Sequence, residues 1–207
     1  MKKIVFLVAL LAAGMATGRA QESRQDISLS GFGLIEPFIA SSTDVQVHST
    51  TAYGALASYR YMLTPTTALE ANYGITYQNK ITYFAPNFPP TGYQILTRTQ
   101  EISGAFVKSF VFKNFNPFVE AGPAALIFLP IINSGTKILD SKQQTEVGGL
   151  FGAGFAYEIS PSFDIRAEYR GIVTKVPTFG VGSSTENFAT NRWFLISEPT
   201  IGVAYHF

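Results

Sequence analysis

The sequence of 207 residues contains no cysteine and only two histidines. Without cysteine there are no disulfides, no thiol nucleophiles and no thiolate metal ligands. Two histidines fall short of a metal cluster, and neither a glycine-rich phosphate loop nor an acidic calcium loop is present. No metal and no cofactor is therefore expected. Charge is also scarce: charged residues make up 14% of the chain and the formal net charge is +1, less charge than a soluble surface usually carries. No basic or acidic field marks nucleic acid as a partner. The apolar run at residues 4–13 falls short of the ~20 residues of a spanning helix. It follows Lys2 and Lys3 and precedes small residues and a Gly18-Arg19-Ala20 cleavage site. This pattern predicts a cleaved secretory signal peptide over 1–20 and one domain over 21–207.

What the chain does have is 18 Phe, 10 Tyr and 18 Gly, arranged with a period of two. Leu69, Ala71, Tyr73, Ile75 and Tyr77 alternate with Glu70, Asn72, Gly74, Thr76 and Gln78. Such alternation gives a strand one apolar and one polar face. Val147, Gly149, Phe151, Ala153, Phe155, Tyr157 and Ile159 share a face, as do Phe163, Ile165, Ala167, Tyr169 and Val173. The alternation predicts eight strands, at 26–40, 51–62, 67–79, 98–112, 116–130, 144–159, 163–176 and 192–207. Most exceed the ~9–11 residues of a tilted membrane strand. Short connections at 63–66, 113–115 and 160–162 alternate with long ones near 41–50, 80–97, 131–143 and 177–191, the asymmetry of an outer-membrane barrel.

The direction of the faces separates two barrels. A soluble lipocalin-like barrel keeps its apolar groups inside, whereas a membrane barrel turns them outward. The aromatic face here would overfill the lumen of an eight-stranded barrel, and the polar face is rich in glycine. The expected fold is all-β: an eight-stranded antiparallel up-and-down transmembrane β-barrel with short periplasmic turns and longer extracellular loops. Tyr59, Tyr61, Phe110, Phe112, Tyr157, Phe163, Tyr205 and Phe207 lie beside the short turns or the C-terminus, where a periplasmic aromatic girdle belongs.

The inward faces carry the chemistry. A turn centred on Pro65 sets Arg60 opposite Glu70. One centred on Asn114 sets Lys108 opposite Glu120. One centred on Pro161 sets Ala156, Gly154 and Gly152 opposite Arg166, Glu168 and Arg170. Each is a cross-strand contact. Lys108 is placed inward because a mid-strand lysine facing lipid costs about 2–4 kcal/mol, although Phe106 and Phe110 then also point inward. Glu36, Arg60, Glu70, Lys108, Glu120, Glu158, Arg166, Glu168, Arg170 and Glu198 form the expected lumen charge network, which plugs the barrel with side chains. A narrow pore is the alternative.

Catalysis would need a nucleophile, a base and an orienting acid. His48 neighbours Ser49, Ser41 and Ser42, and only distant residues such as Asp140 or Glu186 could complete the set; His206 lies beside the C-terminus. No enzyme is expected, and no catalytic residue is assigned. The long connections are better functional candidates. Tyr83, Phe84, Phe88 and Tyr93 are loop interaction candidates for an extracellular partner; the competing expectation is that they extend the barrel wall.

The signal peptide, the eight alternating segments and the ending Ile201-Gly202-Val203-Ala204-Tyr205-His206-Phe207 resemble the small bacterial outer-membrane β-barrel family. Its relatives include the OmpA transmembrane domain, OmpX and the opacity proteins. The segment from Asn116, Pro117 and Phe118 to Gly122 also resembles a strand opening of these barrels. The resemblance implies an outer-membrane location, a monomer in contact with outer-membrane lipids, and a structural or surface-interaction role. It also implies that Ile201, Val203, Tyr205 and Phe207 are the C-terminal signal read by the outer-membrane insertion machinery. An outer-membrane enzyme and a periplasmic lipocalin-like binder remain alternative readings.

Overall fold

The computed structural model describes residues 24–40, 45–86, 88, 90–131, 141–181, 189–190 and 192–207. The expected signal peptide, Ser41, Ser42, Asp140 and Glu186 lie outside the described residues. The strands are β1 (Gln25–Leu34), β2 (Ile39–Ala40), β3 (Gln46–Ser49), β4 (Ala52–Thr64), β5 (Thr67–Thr76), β6 (Asn79–Phe84), β7 (Tyr93–Ser109), β8 (Phe115–Pro130), β9 (Gln144–Ser160), β10 (Phe163–Lys175) and β11 (Trp193–His206). Eight of them close a ring in the order β1-β4-β5-β7-β8-β9-β10-β11, with β11 returning to β1. All of these pairings are antiparallel. Closure leaves no unpaired edge in lipid, where an unsatisfied backbone group costs several kcal/mol.

The seam joins the two ends of the described chain. Asp26 sits opposite His206, and the Phe207 amide donates to the Gln25 carbonyl at 3.0 Å. Leu29, Tyr53, Tyr73, Ile102, Phe151, Tyr169, Trp193 and Ile201 are exposed on the outer wall. The faces are thus those of a membrane barrel and opposite to a lipocalin's. Tyr59, Tyr61, Phe110, Phe112, Tyr157 and Phe163 are exposed around the short-turn rim, and Tyr205 stacks on Phe207 with centroids 6.1 Å apart.

The remaining strands extend one side of the long-loop rim. β2 pairs with β3, β3 with β6, and β6 with the first residues of β7. Much of the long connection expected at 80–97 is therefore a hairpin, because Ile81, Tyr83, Tyr93 and Ile95 alternate along it and all point inward.

The second short turn corrects an expectation. The Arg60–Glu70 and Arg166–Ala156 pairs occur as the turn centres at Pro65 and Pro161 require. Both hairpins reach that register through an irregularity beside the turn, between Met62 and Thr64 in one and Phe163 and Asp164 in the other. The β7–β8 hairpin has none at its tip: Phe112 bridges Phe115 around Lys113 and Asn114, with Lys113 at φ 50°. The register is one residue from that expected, so Val107 faces Glu120 and Lys108 faces Val119. A one-residue slip exchanges the two faces of a strand. Lys108 is therefore exposed on the outer wall with Phe106 and Phe110. Its ammonium donates to Thr66 Oγ1 at 2.8 Å and Thr67 Oγ1 at 3.3 Å. Lying beside the turn rather than at mid-strand, it avoids the cost that argued for an inward position.

Candidate functional site in the barrel lumen

The lumen has two halves, and five of the eight strands change character between them. Counting down from the long-loop rim, Leu34 and Phe32 give way to Ser30, Ser28 and Asp26 on β1. Leu56 gives way to Ser58 and Arg60 on β4. Phe128 and Leu126 lead to Glu120 on β8, Ile172 to Arg170 on β10, and Phe194 and Ile196 to Glu198 on β11; all these side chains are buried.

Arg170 is the centre of the lower half and is fully buried. It is paired with Glu101 of β7, and its Nη1 lies 3.1 Å from Glu198 Oε2. Its Nε is 3.4 Å from Glu120 Oε1. Ser103 completes the group, accepting from Arg170 Nη2 at 3.2 Å and donating to Glu101 Oε1 at 2.6 Å. Strands β10 and β7 lie three apart around the ring of eight, so this contact spans the lumen. Arg60 donates from Nε to Glu70 Oε2 at 2.6 Å, and its guanidinium carbon lies 4.8 Å from the Phe118 ring centre. Arg166 reaches Asp26 at 3.2 Å, and its Nη1 lies 3.9 Å from Glu70 on the opposite wall. Multiple partners are the condition for burying a charge at all.

Glycine makes the room. A Cβ at Gly152 would lie 2.7 Å from Glu120 Oε1, and one at Gly154 would lie 2.6 Å from Glu168 Cβ. Glu168 is half-buried opposite Gly154, and Glu158 sits near the short-turn rim opposite Asp164. At that rim His206 Nε2 lies 2.8 Å from Asp164 Oδ2.

Glu36 stands apart from the others. It is buried beyond the end of β1, and burial raises its carboxyl above the ordinary carboxylate range. Glu101, Ser103, Asp26 and Asp164 belong to the lower network but were not among the expected residues. The signal for Glu101 was present in its alternation with Ser103, Ala105 and Val107, once Phe106 is placed outward.

The upper half is packed with hydrocarbon. Phe179, from the connection after β10, is fully buried. Its ring meets Tyr83 and Phe128 edge-on, with centroids 6.4 and 6.3 Å away. Phe179 has φ 53° and Gly180 φ 69°. Gln144 Oε1 holds this turn by accepting from the amides of Thr178 and Phe179 at 2.8 and 2.6 Å. The Tyr83 hydroxyl donates to the Pro177 carbonyl at 2.6 Å. Tyr83, Phe88 and Tyr93 are buried here, so three of the four loop candidates do not present their rings to a partner. Phe84 is half-exposed. It packs against His48, whose other side meets Phe38, at centroid distances of 5.4 and 4.4 Å. His48 and His206 lie at opposite ends of the barrel.

A closed ring, a lipid-facing apolar wall and a polar lower lumen define a transmembrane β-barrel of the small outer-membrane type. The outer membrane protein β-barrel domain model matches residues 5–207, and the chain belongs to that family. The fold is similar to OprG of Pseudomonas aeruginosa, with a TM-score of 0.65, 12% identity, and 91% of this chain and 98% of that one covered. It is also similar to Neisserial surface protein A, with a TM-score of 0.55, 17% identity and coverages of 89% and 98%. AlkL, whose structure was determined by solid-state NMR in DMPC bilayers, gives a TM-score of 0.57, 12% identity and coverages of 93% and 94%. No curated protein matches the chain. The family places the protein in the bacterial outer membrane.

Proposed function

We propose that the barrel does not conduct and that its lumen is plugged by side chains, leaving a structural or surface-interaction role to its extracellular end. The carrying observation is Arg170, fully buried and linked to carboxylates on β7, β8 and β11. Eight strands leave little room beyond side chains, and the apolar upper half adds a second barrier to ions. Planar bilayers containing the purified protein should show no channel steps, and the Arg60→Ala/Glu70→Ala variant should stay silent because the Arg170 group and the upper half remain. Regular steps from the unaltered protein would mean a pore.

For the surface role, the exposed Phe38 and His48 and the half-exposed Phe84, which pack on one another, replace the buried aromatics as the contact group. A Phe38→Ser/Phe84→Ser variant should lose attachment to extracellular surfaces while keeping its heat-dependent gel migration. Undiminished attachment would move the role to other loops. On this reading Ile201, Val203, Tyr205 and Phe207 serve the insertion machinery during assembly, after removal of the signal peptide.

A further inference from the structure

The short-turn rim that closes the ring carries one of the two histidines of the chain, and the lumen plug leaves it without a task. His206 lies where three strands meet. Its amide donates to the Ser162 carbonyl at 3.0 Å, which ties its backbone to the turn before β10. Its register partner across the seam is Asp26 of β1. The imidazole stands at the lumen mouth with 18% of the side chain exposed, so water reaches it from the short-turn side.

The two ring nitrogens serve different strands. Nε2 lies 2.8 Å from Asp164 Oδ2 on β10, and Nδ1 lies 3.9 Å from Asp26 Oδ2 on β1. An ionised carboxylate only accepts, so the short contact to Asp164 puts the ring hydrogen on Nε2. A neutral ring then leaves a bare lone pair on Nδ1, the nitrogen on the Asp26 side. Two acceptors stand across the seam with no hydrogen between them. Asp26 is fully buried, and its Oδ1 has no hydrogen-bond partner among the described residues. Its Oδ2 accepts from Arg166 Nη2 at 3.2 Å.

The surroundings favour an added proton. Strand β10 supplies Asp164 and Arg166, β1 supplies Asp26, and Glu158 of β9 is the half-buried register partner of Asp164. Arg24, just before β1, is exposed. Arg60 stands opposite Asp26 on β4 but is paired with Glu70, and Arg166 also lies 3.9 Å from Glu70. We infer that His206 is an acid-tightened clasp on the β1–β11 seam. Protonated, it donates to β10 from one nitrogen and to β1 from the other; neutral, it holds β10 alone. The contact to β1 exists only while the ring is closed, so a proton strengthens the closed ring over the separated strands. The seam should hold best in mild acid and loosen as pH rises through the imidazole range.

The folded protein in phosphatidylcholine vesicles would be unfolded in urea at about pH 5.5 and about pH 8, on either side of the imidazole range. Loss of the folded gel band gives the rate. Glu36 also titrates, so the Glu36→Gln variant is the reference. It should unfold roughly tenfold more slowly at the lower pH, the effect of one added charge-assisted hydrogen bond. Adding His206→Gln, which stays polar but does not titrate, should bring that ratio below about twofold. Adding His48→Gln at the opposite rim should leave it unchanged. Nitrogen NMR of the unaltered, histidine-labelled protein gives a reading that needs no folded variant. The His206 ring should carry its hydrogen on Nε2 at the higher pH and on both nitrogens at the lower. A hydrogen on Nδ1 alone at the higher pH, or the same ratio of rates with and without His206, would each overturn the assignment.

Discussion

The lower and upper halves of the lumen solve the same filling problem with opposite chemistry. Below, three arginines are held by carboxylates, some on the neighbouring strand, as Glu70 is to Arg60, and some across the lumen, as Glu101 is to Arg170. Above, Leu34, Leu56, Leu126, Phe128, Ile172, Phe179 and Ile196 fill comparable space with hydrocarbon. The upper half shows that this scaffold can be packed without ions. Buried ion pairs are weak evidence of stability, since well-packed apolar groups often do as well. The lower half is therefore better understood as directional: each guanidinium donates along the fixed directions of its planar fork, which ties together the strands that supply its acceptors. Hydrocarbon packing is less exacting, and it lies where the added β2, β3 and β6 strands and the Phe179 turn converge.

The comparison can be broken most forcefully at its charged centre. Arg170→Ala leaves Glu101, Glu120 and Glu198 without their shared cation and should cost about 3–5 kcal/mol, measured by urea unfolding in lipid vesicles. A loss below 1 kcal/mol would mean that water already pairs those carboxylates. Leu126→Ala in the upper half should cost about 3 kcal/mol through the cavity it leaves. Its unfolding midpoint should respond to salt as the unaltered protein does, whereas an Arg170 variant should respond differently. Glu101→Gln retains shape but weakens the charge-assisted bonds to Arg170, and a loss of about 2 kcal/mol is expected.

Glu36 tests the outer end by pH. Its carboxyl is raised by burial, so the folded state holds a proton that the unfolded chain releases near the ordinary carboxylate value. Stability should fall as pH rises from that value towards the raised one. Glu36→Gln should flatten that slope; an unchanged slope would place the titration elsewhere. The smallest effect belongs to Lys108→Gln, below about 0.5 kcal/mol, as for other surface substitutions. A loss as large as that of Arg170→Ala would return Lys108 to the lumen.

The alternation of apolar and polar residues makes the ring, the outward aromatic face and most strand positions legible in the sequence alone. The Arg60–Glu70 and Arg166–Ala156 registers are legible too, because a proline marks each turn. Strand β7 is not, since both of its faces are partly apolar and its turn lacks the irregularity of the other two. The exchange of Lys108 for Glu101 follows from that single residue of register. The apolar upper lumen is hidden for a related reason: Phe32, Leu34, Phe194 and Ile196 share a face with Ser28 and Glu198, so one strand face changes character partway along. Period two assigns residues to a face but does not reveal depth.

The β1–β11 seam has a temporal consequence. Asp26 meets His206 and Gln25 meets Phe207, so the contact that shuts the ring joins segments about 180 residues apart in sequence. The seven hairpin-neighbour pairings can form between segments consecutive around the ring, but the final one must span nearly the whole described chain, the slowest kind of contact to find. Until it forms, β1 and β11 each carry a row of open backbone groups. The ring therefore stays an open ribbon until β11 is in hand, and losing Phe207 would remove the backbone hydrogen bond that it donates to Gln25 across the clasp.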